Sequence, residues 1–411
     1  MAAPKLRFKG FDQDWTGLKI KDLVKSLDAG VSVNSEDVEP KEDEYSVLKT
    51  SCISSGYFDE NERKRVLQDG EIQRLKEPVL DDSILMSRMN TPLLVGMNAY
   101  VFKAPKNTFL PDRLWQLKID DNKTVTRWLA FYLGSDQGLN QIRDLASGTS
   151  NSMKNITKPD VLNLDLFVPS KEEQTKIASF LSNVDEKISQ LTQKHELLSQ
   201  YKQGMMQKLF SQQLRFKADD GSEFGEWEKV KLGSLLIKHD EKTEFNNQYP
   251  VLTSSRHGIY FQKDYFAGQD VASADTTGYN VVPYDYFTYR HMSDDLVFKF
   301  NINTICPKGI VSTLYPVFTV KDEHLNKYFL QTILNEGQEF KNFAIMQKQG
   351  GSRTYMYFSK LSELVLTIPC LEEQTKIANF LSAIDQKIEI VAQQIEQAKQ
   401  WKKGLLQQMF V

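Results

Sequence analysis

Apolar residues recur in alternating steps of four and three along two stretches of the chain. In the first they fall at Ile177, Leu181, Val184, Ile188, Leu191, Leu198, Met205 and Leu209, with His195 and Lys202 filling the gaps in the series. In the second they fall at Ile377, Leu381, Ile384, Ile388, Val391, Ile395, Ala398, Leu405 and Met409, with Lys402 in the same register. This spacing is the heptad seam of a coiled coil. Each stretch opens after a proline, with glutamates in the first turn, where the helix dipole favours negative charge. At about 1.5 Å per residue, each helix should be roughly 55 Å long. Elsewhere alternating apolar residues and many Gly, Asn, Asp and Pro breaks predict strands and loops, as in Ile84–Arg88 and Val281–Arg290. Segments 124–133 and 325–335 read as short helices.

The two stretches are copies. Glu172-Glu173-Gln174-Thr175-Lys176-Ile177-Ala178 returns unchanged at Glu372 to Ala378, 200 positions later. From Pro169/Pro369 to Phe210/Phe410, 21 of 42 paired positions are identical without a gap. The likeness extends further: Leu6-Arg7-Phe8 is answered by Leu214-Arg215-Phe216, Trp15 by Trp227, and Leu164–Pro169 by Leu364–Pro369. The chain is therefore an internal duplication. The expected plan is a globular domain at 1–168, a helix at 169–212, a second globular domain at 213–368 and a second helix at 369–411. The fold class is α+β: two mixed domains joined by two long helices. Two like units pack most naturally about a two-fold axis, which would make the helices an antiparallel coiled coil with a domain at either end. A spacer of that length exceeds one turn of B-DNA, about 34–36 Å, so two such domains could reach two half-sites on one duplex.

Hydrophobic content of 40% and charged content of 26% are those of a soluble globular protein. No apolar run approaches a membrane span and the N-terminus lacks a signal-peptide core, so a cytoplasmic protein without membrane contact is expected. Cys52, Cys306 and Cys370 are far apart, suit a reducing compartment and have no metal-ligand spacing. The acidic stretch Glu36 to Glu44 reads as a solvated loop. The five histidines make no ligand pattern, and no phosphate loop, S-adenosylmethionine loop or adenine-methyltransferase motif is present.

The opening Lys5-Leu6-Arg7-Phe8-Lys9-Gly10-Phe11 with Trp15, the paired Glu-Glu-Gln-Thr-Lys-Ile-Ala stretches and their tails (Tyr201–Phe210 and Trp401–Phe410) together resemble the specificity subunit of a type I restriction–modification enzyme. The resemblance covers nearly the whole chain. It implies two target recognition domains, each reading one half of a bipartite, asymmetric sequence of double-stranded DNA, with the antiparallel helices setting the gap. It also implies docking of two modification subunits, which methylate adenine, and of restriction subunits. S-adenosylmethionine, ATP and magnesium would belong to those partners, and this chain would be non-catalytic and carry no cofactor or metal.

Phosphate contacts need Lys, Arg or backbone N–H groups, and base reading needs Arg, Asn, Gln or Ser. Candidates in the first domain are Arg63, Lys64, Arg65, Arg88, Asn90, Ser152 in the loop Gly148–Ser152, and Lys154. In the second they are Arg256, Arg290, His291, Ser352, Arg353 and Tyr355. Arg88 and Arg290 occupy similar places after similar strands, and the two Gly-rich loops correspond; such a loop with a trailing basic residue can wrap a phosphate. Spacer and partner contacts are expected at Lys202, Gly204, Met205 and Phe210 and at Lys402, Gly404, Leu405 and Phe410. The two lysines are costly to bury unless paired, and the two glycines suit close packing by another chain. Net charge is a tension. It is −3 overall, and outside 171–210 and 371–410 there remain 40 Lys/Arg against 44 Asp/Glu. Either charge is segregated onto one face or partner subunits supply much of the grip. The competing reading is a duplicated coiled-coil adaptor holding two protein ligands; an enzyme with an unrecognised active site ranks last.

Overall fold

The periodic stretches form helices at Lys171–Phe210 and Leu371–Met409. The computed structural model describes residues 3–147, 153–267, 272–348 and 351–410. They fall into two units, residues 1–194 with 391–411 and residues 195–390, so each unit holds the start of one long helix and the end of the other. Because the start of each packs with the end of its copy, the helices run antiparallel. In the first unit Ile177, Leu181, Val184 and Ile188 share a core with Leu405, Met409 and Phe410. In the second, Ile377, Leu381 and Ile384 share one with Met206 and Leu209. The heptad reading slips at one place: Met206, not Met205, is buried. The slip is local, since Leu209 is buried where the heptad places it and Leu405 and Met409 keep the register in the second helix.

Each unit is built on the same antiparallel four-stranded sheet. In the first the order is Val24–Ala29, Leu114–Ile119, Ser83–Ser87, Asn98–Val101; in the second it is Leu236–His239, Val317–Val320, Phe287–Thr288, Asn301–Ile302. Beneath the sheets lie the expected short helices, Thr126–Leu133 and Lys327–Glu336. Trp15, Trp128 and Tyr132 fill the first core, and Tyr289, Phe300, Phe318 and Phe329 the second. Apolar side chains of this size contribute roughly 2–3 kcal/mol each when fully buried. The inserts differ. The first unit adds the sheet Arg63–Val66, Tyr45–Leu48, Thr108–Phe109; the second adds the hairpin Leu252–Ser255/Gly258–Phe261 and the pair Asn280–Pro283/Lys308–Val311.

The repeated heptapeptide is a latch between helix and domain. Glu173 accepts two hydrogen bonds from Arg7, both 2.8 Å, and Glu373 accepts two from Arg215 at 3.2 and 2.7 Å. Both carboxylates are fully buried, so they need this bidentate partner. Gln174 donates to Pro169 O and accepts from Val125 N, and Gln374 donates to Pro369 O and accepts from Asn326 N. Ile177/Ile377 and Ala178/Ala378 enter the cores. The Arg in each Leu-Arg-Phe is thus the partner of the second Glu in each helix start.

Candidate nucleic-acid interface

In both units a two-residue strand beyond the central sheet strand pairs with a second two-residue strand from much later in the chain. In the first unit Asn90 faces Lys154 and Met89 faces Asn155; in the second Ser293 faces Thr354 and Met292 faces Tyr355. Flanking backbone bonds repeat as well. Ile156 N–H donates to Arg88 O at 3.1 Å and Met356 N–H to His291 O at 2.7 Å. Arg88 N–H donates to Arg113 O and His291 N–H to Leu314 O. Ile84 pairs with Leu117 as Phe287 pairs with Phe318. These bonds set the register, and they make Arg88 the counterpart of His291, with Ser87 the counterpart of Arg290. The expected match of Arg88 with Arg290 is therefore off by one residue, because the intervening loops differ in length.

The ladders gather Arg88, Asn90 and Lys154 in the first unit and Arg290, His291, Arg353 and Tyr355 in the second. Arg88 is half-buried, its guanidinium 3.4 Å from Asp112 O, beside exposed Arg113, which sequence reasoning passed over. Arg290 is exposed and makes no ion pair among the described residues. His291 is buried; its Nδ1 lies 2.5 Å from Leu314 O and its ring stacks on Tyr357 at 4.9 Å. Tyr355 and Tyr357 stack in turn, with ring planes 11° apart, and are 41% and 51% exposed. This edge can offer hydrogen-bond donors and aromatic faces to a polyanion with apolar groups. Tyr357 was missed because only the pairing of Tyr355 with Met292 reveals which residues flank the strand.

Arg353 and Ser352 are exposed, with Arg353 Nε 2.9 Å from Asp294 Oδ1. Arg256 sits on the hairpin turn, its Nη2 2.7 Å from Asp295 Oδ1. The Ser293 hydroxyl, then Arg256, hold the Asp295 carboxyl below the usual carboxylate range. Ser152 and the loop Gly148–Ser152 lie outside the described residues. Arg63, Lys64 and Arg65 stand on the separate three-stranded sheet. There Arg65 is held by Glu36 at 2.8 Å and Glu44 at 3.7 Å, and Lys49 by Asp37 at 2.7 Å. The acidic stretch is a largely exposed loop, as expected, tied to this sheet at its ends by ion pairs and by the Glu36–Arg65 bridge. Its positions at both ends of the stretch face cations that the linear sequence keeps 12 to 29 residues away.

Of the residues expected at the helices, Lys202 is paired inside the chain, as is Lys402. Phe410 packs between Trp128 and Tyr132 with centroids 6.1 and 5.9 Å away, Leu405 lies in the same core, and Phe210 packs on Phe329 at 6.0 Å. These apolar residues hold each helix end to the chain's own core. Gly204 and Gly404 remain uncrowded: a Cβ at Gly204 would meet nothing within 4 Å, and one at Gly404 only Gln408 at 4.0 Å. Met205 is half-buried. Among the described residues no helix is long and apolar enough to cross a membrane.

Comparison with known proteins bears on the family and the fold. Residues 12–200 and 225–400 each match the family model described as a type I restriction modification DNA specificity domain. The chain is 24% identical to the putative type I restriction enzyme MjaX specificity subunit of Methanocaldococcus jannaschii, over 96% of this chain and 92% of that one. It is 28% identical to the MjaVIII specificity subunit of the same organism, over 59% and 60%. Among solved structures it superposes on a type I restriction–modification S subunit from M. genitalium with a TM-score of 0.61 at 17% identity, covering 100% and 99% of the two chains. A second, from work on complex assembly and conformational transition of the type I R-M system, gives 0.52 at 13% identity over 97% and 98%.

Proposed function

The chain belongs to the type I restriction–modification DNA specificity family, as a non-catalytic DNA-recognition subunit, and we propose that it reads a bipartite, asymmetric target, one half with each ladder edge. The observation that carries this is the repeated ladder furnished with different side chains. Arg88, Asn90 and Lys154 present donors in the first unit; Arg290, Arg353, Tyr355 and Tyr357 present arginines and aromatic faces in the second. One scaffold with two chemistries suits two different half-sites, and the long helices between them would set the gap.

On this reading the chain directs adenine methylation by two modification subunits and cleavage by restriction subunits, which would carry S-adenosylmethionine, ATP and magnesium. The half-exposed helix surface around Gly204, Met205 and Gly404 is where a partner helix could approach closely. The test is a genome-wide map of methylated adenines in a host carrying the partner modification subunit, with and without this chain. Loss of one split, asymmetric motif on deletion is the expected result. An unchanged map despite assembly of the complex would overturn the proposal in favour of a coiled-coil adaptor.

A further inference from the structure

The second unit holds two exposed arginines against two consecutive carboxylates at the edge of its ladder. Asp294 and Asp295 directly follow the strand Met292–Ser293; Arg353 directly precedes its partner strand Thr354–Tyr355, and Arg256 lies on the turn of the neighbouring hairpin. Three separate loops therefore converge on adjacent residues, whose Cα atoms lie about 3.8 Å apart. Arg353 Nε is 2.9 Å from Asp294, and Arg256 Nη2 is 2.7 Å from Asp295. Asp295 is itself positioned by the Ser293 hydroxyl at 2.9 Å and by Val297 N–H at 3.3 Å.

All four charged side chains are about half exposed or more. Ion pairs this open contribute little to stability, so the fold does not explain them. The first unit lacks them: by the shared register Thr91 and Pro92 stand where Asp294 and Asp295 do, and Met153 stands where Arg353 does. The pairs also bear on the charge balance, since they show how a chain of net charge −3 can carry arginines at a reading edge without a basic surface.

We propose that Asp294 and Asp295 are specificity-determining residues that occupy Arg353 and Arg256 in the free protein and yield them to DNA only where the half-site fits. This rests on the DNA-reading role proposed above. A carboxylate, like a phosphate, offers a guanidinium anionic acceptor oxygens, so each aspartate holds its arginine by the group that a phosphate or a base edge would engage. It also repels backbone phosphates within a Debye length, about 8 Å at physiological salt. On an unfitting sequence the aspartates keep the arginines and repulsion weakens binding. On a fitting sequence the added base contacts outweigh the exchange. The pair thus suppresses non-specific binding more than specific binding.

The test uses the full chain assembled with its modification subunits and a fluorescent random-sequence duplex, comparing wild type with D294N/D295N and R256A/R353A. For D294N/D295N the expected result is binding about tenfold tighter, with a log K against log salt plot steeper by about one to two. Methylation mapped in the same host should spread to sites matching only the other half of the motif. Unchanged or weaker random-sequence binding by D294N/D295N, with the methylated motif intact, overturns the role of the aspartates. Failure of the underlying reading looks different: R256A/R353A would then bind and methylate like wild type. Circular dichroism and thermal melting of each variant separate a folding defect from either result.

Discussion

Lys202 donates to Asp385, its Nζ 2.8 Å from Oδ1, and 200 positions on from Lys202, Lys402 lies 2.6 Å from Asp185, itself 200 before Asp385. The pair is repeated but its surroundings are inverted. Lys202 also takes both oxygens of Glu336, at 2.8 and 2.9 Å, so one cation serves two carboxylates. Asp185 also takes Arg127 at 3.0 Å and the Tyr57 hydroxyl at 3.1 Å, so one carboxylate serves two cations. Each seam lysine that the sequence places at a costly position is thus neutralised within its own unit.

Replacing Lys202 with methionine keeps the side chain's apolar stem and removes its charge, leaving Asp385 and Glu336 without this counter-ion. The expected loss is about 1–3 kcal/mol of stability in the second unit. Burial works against the Lys202 charge, but hydrogen bonds to Asp385 and Glu336 outweigh it and raise its pKa above the ordinary 10.5. A raised value means the pair's contribution is complete below the ordinary 10.5 and is lost as pH climbs above it through the raised value. Thermal melting at steps above pH 10.5, compared with pH 8 to 10, should show the gap between wild type and K202M constant in the lower range and narrowing in the upper. A gap that stays constant throughout would contradict the assignment.

Glu373 is fully buried and accepts from Arg215 twice and from Trp227 Nε1 at 3.2 Å. Arg215→Ala would strand a buried carboxylate, at a cost of about 3–5 kcal/mol. Arg7→Ala should do the same to Glu173 in the first unit. Hydrogen exchange should show the damage confined to the helix start and domain of the affected unit. Double replacement by apolar residues, such as R215M/E373M, should recover much of the loss.

Arg88→Ala should weaken DNA binding by the assembled complex about tenfold, at the low end for an arginine that touches bases. The methylated motif should relax in one half only, since Arg88 belongs to the first unit's ladder. Relaxation in both halves, or in neither, would remove Arg88 from the reading edge.

Much of this architecture was legible because it rests on spacing. The seam from Ile177 to Leu191 and the 200-residue repeat predict both helices and their antiparallel packing, and the burial of these residues follows. What escaped depends on contacts between segments distant in sequence. Met206 enters the second unit's core in place of Met205, whereas Leu405, the counterpart of Met205 in the repeat, keeps its place in the first unit's core. Arg88 answers His291 because the register is set by bonds to Arg113 and Ile156, some 25 and 68 residues away. Arg256 and Arg353 read as free cations until the fold brings Asp294 and Asp295 to them. The heptapeptide was visible as a repeat, while its role as a latch required Arg7 and Arg215 in place.

The helix glycines separate two roles. Alanine at Gly204 and Gly404 meets open space, so G204A/G404A should stabilise the isolated chain by up to about 1 kcal/mol per site. If a partner helix packs closely there, the added methyl groups should weaken assembly with modification subunits. Higher melting temperature with a lower yield of complex on size exclusion is the expected combination; unchanged assembly would place the partner contact elsewhere.

Leu214 N–H donates to Lys208 O at 3.1 Å where the first helix turns into the second domain, and Leu6 N–H donates to Gln408 O at 2.9 Å in the equivalent position of the first unit. In the second unit three residues, Ser211 to Gln213, carry the chain from Phe210 to Leu214. The repeated bond means that a link of the same length should join Phe410 to Leu6. A chain opened between Gln212 and Gln213 and closed through Ser-Gln-Gln after Phe410 keeps every core residue, both Arg–Glu latches and both ladders. Opening the chain there breaks no buried contact, since residues 211–213 are exposed. The permuted protein should therefore melt within a few degrees of wild type and restore the same methylated motif. A permutant that folds but yields a different spacing between the halves would show that the covalent link at 211–213, beyond the packing of the helices, sets the gap.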